Sequence, residues 1–366
     1  MQLAKAPRDT LLRPLQVVSG IVERRQTLPI LANVLLRREG DTLSFTATDL
    51  EIQIRTGAAL EGAKESGATT VSARKLLDIL RSLPDSEVQL GLANRKLSVQ
   101  SGRSKFHLQT MPAEEYPTVA QTPATVDFTV TAASLKYLLS MVHYAMAAQD
   151  IRYYLNGMLL VIEGTRVRAV ATDGHRLALC EFAREEDAGS IEVIVPRKTV
   201  LELTRLLPDG EETVRVQVAA NQIRFEFGQI ELVSKLVEGK FPDYGKVIPG
   251  ANSKVFRIAR ETLMQSLQRA AILTTDKFKG VRWVLAPGTL KVSATNTDQE
   301  EALEEIEIDY AGESLDIGFN VTYLLDVMGN LKADDLQVAL GDSLGSALIT
   351  LPGSDRFRYV VMPMRI

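Results

Sequence analysis

The sequence is poor in the residues that active-site chemistry or a secreted life would need. It holds one cysteine, Cys180, so no intrachain disulfide is available, and a lone thiol suits a reducing cytoplasm. The three histidines, His107, His143 and His175, are scattered, and with a single cysteine they offer no metal-ligand spacing. No Gly-rich phosphate loop precedes a helical pattern, and no nucleophile elbow is present. No metal or cofactor is expected. Residues 1–20 interleave apolar residues with Lys5, Arg8, Asp9 and Arg13, which excludes a signal-peptide core, and no apolar run reaches membrane-spanning length. There is no large charge of one sign either. A net charge of −4 does not by itself predict a nucleic-acid partner.

What the chain does have is a repeat. The stretch Asn156 to Leu179 reads as two strands around a Gly-containing turn, closed by Ala171-Thr172-Asp173. The same pattern leads from Asn33 through Glu39-Gly40 to Ala47-Thr48-Asp49, and from Lys279 through Pro287-Gly288 to Ala294-Thr295-Asn296. These anchors stand 124 and 123 residues apart in a chain of 366. The period divides the chain into three units of ordinary domain size, too long for a solenoid repeat. Polar joins at Thr118–Thr125 and Pro249–Ser253 set the expected domains at 1–121, 122–250 and 251–366.

Each unit opens with a helical pattern: Asp9 to about Arg24, Ala133 to about Ala148, and Glu261 to about Leu273. Leu135, Leu138, Leu139 and Val142 share one helical face. Pro14 is expected to kink the first helix or shift its start. A second helix begins at Ser72, Pro196 and Asn320, 124 residues apart each time, with residues suited to helix starts. Alternating segments then finish each unit: Val88–Val99 and Phe106–Met111, Val214–Phe227 and Ile230–Leu236, Leu336–Leu340 and Ala347–Val361. Two helices against strand-rich layers, three times over, predict an α+β architecture.

Charge is placed unevenly. Lys and Arg exceed Asp and Glu by two in 8–25, 72–83 and 197–206 and by one in 133–148 and 260–273, and fall one short in 321–331. A negative protein has put its positive charge on its helices. If the helices share a face, that face suits phosphate, with Arg24, Arg74, Arg197 and Lys198 as candidates. A second pattern concerns self-association. Asp298, Glu300, Glu301, Glu304, Glu305, Glu307 and Asp309 form an acidic run with no base among them. Arg74, Arg95, Lys96, Arg103 and Lys105 in unit one are their opposite, with Phe106, Ile272 and Leu273 as apolar neighbours. Such a head-to-tail contact makes a ring if the rotation closes. Asp173-Gly174-His175-Arg176 is the one stretch with a catalytic look, and a hydrolase using Asp173 and His175 is an alternative. No nucleophile can be assigned beside them, and Asp49 repeats the aspartate in a unit without the histidine. A protein-binding scaffold without DNA is a third reading. It leaves the basic helices unexplained.

Ala171-Thr172-Asp173-Gly174-His175-Arg176-Leu177, Phe241-Pro242-Asp243-Tyr244 and the final Val361-Met362-Pro363-Met364-Arg365, together with the threefold repeat, resemble the bacterial beta sliding clamp family. Its members are processivity subunits of the replicative DNA polymerase III, and the resemblance spans the whole chain. It implies three tandem DNA-clamp domains, two helices against sheets in each, and a head-to-tail dimeric ring with the helices lining the hole. The implied partners are encircled double-stranded DNA, the polymerase, the clamp loader and repair proteins. It adds Gln149, Tyr153 and Tyr154 as DNA contacts. It also implies a peptide pocket, formed on one side by Leu155, Thr172, Gly174, His175, Arg176 and Leu177. The other side takes Pro242, Val247, Asn320, Tyr323 and Ser346, then Val360, Met362, Pro363 and Met364. Arg365 joins Arg176 as a group expected to meet a peptide's polar atoms at the rim. Lys246 stands where the family commonly has arginine, and Ile366 where it usually has leucine. The implied role is non-catalytic and cytoplasmic.

Overall fold

The repeat is written into the turns of the computed structural model, which describes residues 1–22, 28–60, 66–120, 122–275 and 277–366. Gly40, Gly164 and Gly288 close the three central hairpins with φ of +56°, +60° and +78°. That backbone region is open to glycine at little cost, so the same residue returns at the same place.

Among the described residues there are six α-helices: α1 (Arg8–Ser19), α2 (Ala73–Ser82), α3 (Ala132–Ser140), α4 (Arg197–Leu206), α5 (Arg260–Ala271) and α6 (Val321–Asn330). None is long and apolar enough to cross a membrane. Two of them start where the sequence predicts: the Ser72 side chain accepts from the Lys75 amide, and Asn320 accepts from the Thr322 amide. Helix α1 neither kinks apart nor shifts past Pro14, because that residue is buried with Leu11, Leu15 and Val18, and this packing offsets the missing hydrogen bond. Helix α3 stops eight residues short of expectation. His143 Nδ1 lies 3.2 Å from the carbonyls of both Leu139 and Ser140, and a 3-10 turn (His143–Ala145) follows. The apolar rhythm runs on because that turn is buried as well, so periodicity overstated the helix. Similarly, Val88–Val99 is two strands broken by a turn at Asn94 and Arg95, both with positive φ.

The chain divides into two compact units, Met1–Ala133 with Leu201–Leu236, and Ser134–Val200 with Val237–Ile366. The first carries a twelve-stranded antiparallel sheet. Near its middle the first repeat's strand Ile52–Ala59 pairs with the second repeat's strand Ile230–Lys235, from Ile52↔Ser234 to Arg55↔Glu231. The second unit holds an eight-stranded and a four-stranded sheet. In the larger one, Arg176–Ala183 of the second repeat pairs with Ser354–Val361 of the third, from Arg176↔Val361 to Cys180↔Phe357. Each unit therefore contains one seam where two repeats join by backbone hydrogen bonds. Trp283 and Phe319, fully buried edge to face at 5.2 Å, anchor the smaller sheet.

Candidate functional site

The site begins with the loop Thr172–Arg176, which joins strands Arg166–Thr172 and Arg176–Ala183. Thr172 Oγ1 donates to the Arg176 carbonyl at 2.6 Å and accepts from the Gly174 amide at 3.1 Å. One carboxylate oxygen of Asp173 accepts from the His175 and Arg176 amides at 2.9 and 3.1 Å. Gly174 has φ +89°, and a Cβ there would sit 2.9 Å from an Arg152 guanidinium nitrogen. Asp173 is thus a loop-capping residue that holds His175 by its backbone amide. Cys180, on the following strand, is buried, and burial pushes its thiol up to about 12.

Arg176 is the polar centre. It is only 9% exposed, and its charge is met by partners from three elements. Its Nε donates to Asp173 at 3.1 Å, Nη1 to Asp326 at 2.6 Å, and Nη2 to the Tyr144 carbonyl at 2.7 Å. The guanidinium carbon lies 4.5 Å from the centre of the Tyr323 ring. Burial lowers its pKa, but the facing Tyr359 oxygen and the two carboxylates more than reverse this and raise it above the ordinary arginine value. Arg176 lines the groove with three of its N–H donors already engaged within the chain.

Beside this loop lies a groove of about 380 Å³, entirely within the second unit. Its floor is apolar: Leu155, Leu177, Phe241 and Val360 are all buried. A 3-10 turn (Tyr153–Leu155) brings Tyr154 to one wall, and a second (Tyr244–Lys246) brings Tyr244, with Pro242 and Val247 flanking it. Thr172, Gly174, His175, Arg176, Ser346 and Met362 complete the lining. Five expected pocket residues stand outside it. Asn320 caps α6, and Tyr323 backs the wall with its ring nearly parallel to His175, 6.4 Å away. Pro363, Met364 and Arg365 run past the groove, where the Met364 amide donates to Gly318 O at 2.9 Å and Arg365 stays exposed. Met362 is tied in by its amide, which donates to His175 O at 2.9 Å.

Arg152, Tyr154, Phe241 and Tyr244 also line the groove and were missed as pocket residues. The two rings of the motif Phe241-Pro242-Asp243-Tyr244 are the signal in the sequence that points to this wall. Tyr154 was expected at DNA. Instead it packs on the groove's buried cluster, while its neighbour Tyr153 is 58% exposed.

The remaining expected residues scatter by environment. Arg24 lies outside the described residues. Arg74 is exposed on α2, 3.8 Å from Asp78, and Gln149 is exposed. Arg197 is half-buried and donates to the Met146 carbonyl at 3.1 Å, and burial, then Arg176, hold its pKa down. Lys198 is half-buried. In the first unit, Arg95, Lys96, Arg103 and Lys105 are exposed and Phe106 is half-buried. Lys105 and Phe106 lie on strand Ser104–Met111, which among the described residues pairs with Gly67–Ser72 only at Thr110 and Met111, so 104–109 presents a free edge on that side. In the second unit, strand Glu301–Glu307 is likewise an edge. It carries Leu303, 61% exposed, on the unit that also exposes Ile272 (76%) and Phe278 (61%), with Leu273 half-buried. The acidic run is not as unpaired as it reads. Glu304 is held by Arg269 at 2.5 Å and Glu305 by Lys291 at 3.5 Å, while Asp298, Glu300 and Glu301 stay exposed. Among the described residues, no group of three or more His, Cys, Asp or Glu could hold a metal ion.

Three family models match the chain in order: the DNA polymerase III beta subunit N-terminal domain over 4–120, its central domain over 129–243 and its C-terminal domain over 245–365. The beta sliding clamp of Pseudomonas putida is 48% identical over 98% of both chains. A crystal structure of the DNA polymerase III subunit beta from Pseudomonas aeruginosa superposes with a TM-score of 0.96 at 46% identity, covering 100% of each chain. A sliding clamp of the same organism bound to griselimycin gives 0.96 and 46%, covering 99% of each.

Proposed function

The chain belongs to the family of DNA polymerase III beta subunits, the beta sliding clamps, and from that membership we propose how its parts divide the work. It is a DNA sliding clamp, a ring-shaped processivity factor that encircles duplex DNA and tethers polymerase, clamp loader and repair proteins. We assign the domains to 1–121, 122–250 and 251–366. Two copies close the ring head to tail. The free edge at 104–109, with its exposed bases, faces the acidic edge strand Glu301–Glu307 of the other copy, and Ile272, Leu273 and Phe106 pack beside it. Added strand pairing supplies direction, opposite charge supplies partner choice, and the apolar side chains supply most of the free energy. Arg24, Arg74, Gln149, Tyr153, Arg197 and Lys198 are assigned to phosphate and stacking contacts that carry no sequence information. The role is non-catalytic and cytoplasmic, and the use of Asp173 on backbone amides supports the first point.

One observation carries the tethering assignment: an apolar groove, open to solvent, floored at the seam between the second and third repeats and edged by Met362. A short segment with aliphatic or aromatic anchors can bury itself there, and a few such anchors carry most of a peptide's binding energy, roughly 2 kcal/mol or more each. Griselimycin, present in the Pseudomonas aeruginosa structure, is a ready probe. Calorimetric titration should show it binding the full chain and not a chain lacking Met362–Ile366, with both dimeric. Equal affinity for the two would put the groove in the wrong place.

A further inference from the structure

Resting on the groove assignment above, we propose that Asp326, which does not itself line the groove, is a positioning residue that holds the groove wall in its binding shape through Arg176 and Tyr323. The backbone at 176 has no need of an arginine. Ile52 occupies the corresponding place in the first repeat, and the loop before it is capped in the same way, by Thr48 and Asp49. Burying a guanidinium at such a place is costly unless its donors are satisfied, and here three partners satisfy them. The shortest of these bonds, 2.6 Å to Asp326, spans 150 residues of sequence and ties α6 to the loop.

The repeat shows why Asp326 is available for this. Glu202 stands 124 residues earlier, in the matching helix α4, and its carboxylate is held by Arg205 one turn on, at 2.7 Å. The position matching Arg205 in α6 is Gly329, so Asp326 has no such neighbour. The same helix delivers Tyr323, whose ring lies 4.5 Å from the guanidinium carbon and stacks on His175. Tyr359 pins that turn by donating its hydroxyl to the Tyr323 carbonyl at 2.8 Å. One carboxylate on α6 therefore keeps the guanidinium beside the Tyr323 ring. Without it, the arginine keeps Asp173, the Tyr144 carbonyl and the Tyr359 hydroxyl but loses its shortest bond and its tie to α6, which lets it swing toward the groove it now borders.

The test is calorimetric titration of griselimycin into the full-length protein and four variants: Asp326→Asn, Arg176→Met, the two combined, and Glu202→Gln. Asp326→Asn should weaken binding by roughly threefold to thirtyfold. Glu202→Gln, the same change on the matching helix, should leave affinity within about twofold of wild type. In the Arg176→Met background, Asp326→Asn should add nothing, because its effect runs through that arginine. Wild-type affinity in Asp326→Asn, or losses that multiply in the double variant, would overturn the proposal. Hydrogen exchange on the wild type decides independently of how the variants fold: amides of 321–330 should gain protection on griselimycin binding, and unchanged exchange contradicts the link. If the wild type itself fails to bind griselimycin, the groove assignment falls, and not merely the role of Asp326.

Discussion

The molecule contains the same joint twice. In the first unit, strand Ile52–Ala59 meets Ile230–Lys235; in the second, Arg176–Ala183 meets Ser354–Val361. Both joints are entered by a loop with one hydrogen-bond plan: a threonine hydroxyl closes back on the strand, and an aspartate caps two amides. The seams differ in what fills the space beside that loop. At the first, the Tyr116 hydroxyl accepts from the Thr48 amide at 3.2 Å and donates to Asn33 O at 3.1 Å, so a buried ring packs there. At the second, the Tyr244 hydroxyl is drawn to Arg168 at 2.9 Å, and the ring borders an open groove. The left-handed position is Leu50 at φ +78° in one and Gly174 at +89° in the other, where the Arg152 side chain needs the room. A duplicated joint is filled by a buried ring in one place and opens into a groove in the other. The shared parts explain the fold, and the unshared parts mark the function.

The largest expected effect asks whether a third such joint forms between copies. The double variant Ile272→Ala, Leu273→Ala removes side chains whose burial is worth about 2–5 kcal/mol each. It should be monomeric at micromolar concentration by sedimentation, and a dimer that persists would refute the assigned interface. Smaller, and confined to one seam, is the loss in Tyr116→Phe. Leaving the buried Thr48 amide without its partner should cost about 1–3 kcal/mol in urea unfolding. Tyr244→Phe, at the groove wall, should cost under about 1 kcal/mol. Equal losses would erase the distinction between a filled seam and an open one. The smallest effect runs the other way. Leu50→Gly relieves a side chain from the left-handed region and should stabilise by about 0.5–1 kcal/mol, whereas Gly174→Ala, crowded by Arg152, should destabilise.

Much of this was legible in the sequence because it is local. Ala-Thr-Asp after a Gly turn marks the hairpins, and Ser72 and Asn320 mark helix starts through bonds made within three residues. The groove floor was legible through Leu177 and Val360, which sit opposite each other across the seam. What escaped is non-local or rotational. Nothing near Arg176 names Asp326, and nothing near Glu304 names Arg269, because ion pairs cross between elements that sequence order separates. Tyr153 and Tyr154 are neighbours in a 3-10 turn, where successive side chains point about a third of a turn apart. One ring faces solvent and the other the groove, and composition cannot say which. The end of α3 was missed because an apolar face continues after the hydrogen-bond pattern changes.

The central claim is that the chain holds DNA by enclosing it, with basic helices that touch phosphate without reading bases. The direct measurement is retention of protein loaded onto closed circular DNA before and after a single cut in both strands, at the same salt. Enclosure predicts that the loaded protein stays on the intact circle and slides off the linear form far faster. Equal loss from the two would mean that the protein is held by affinity alone, and the ring account would be wrong.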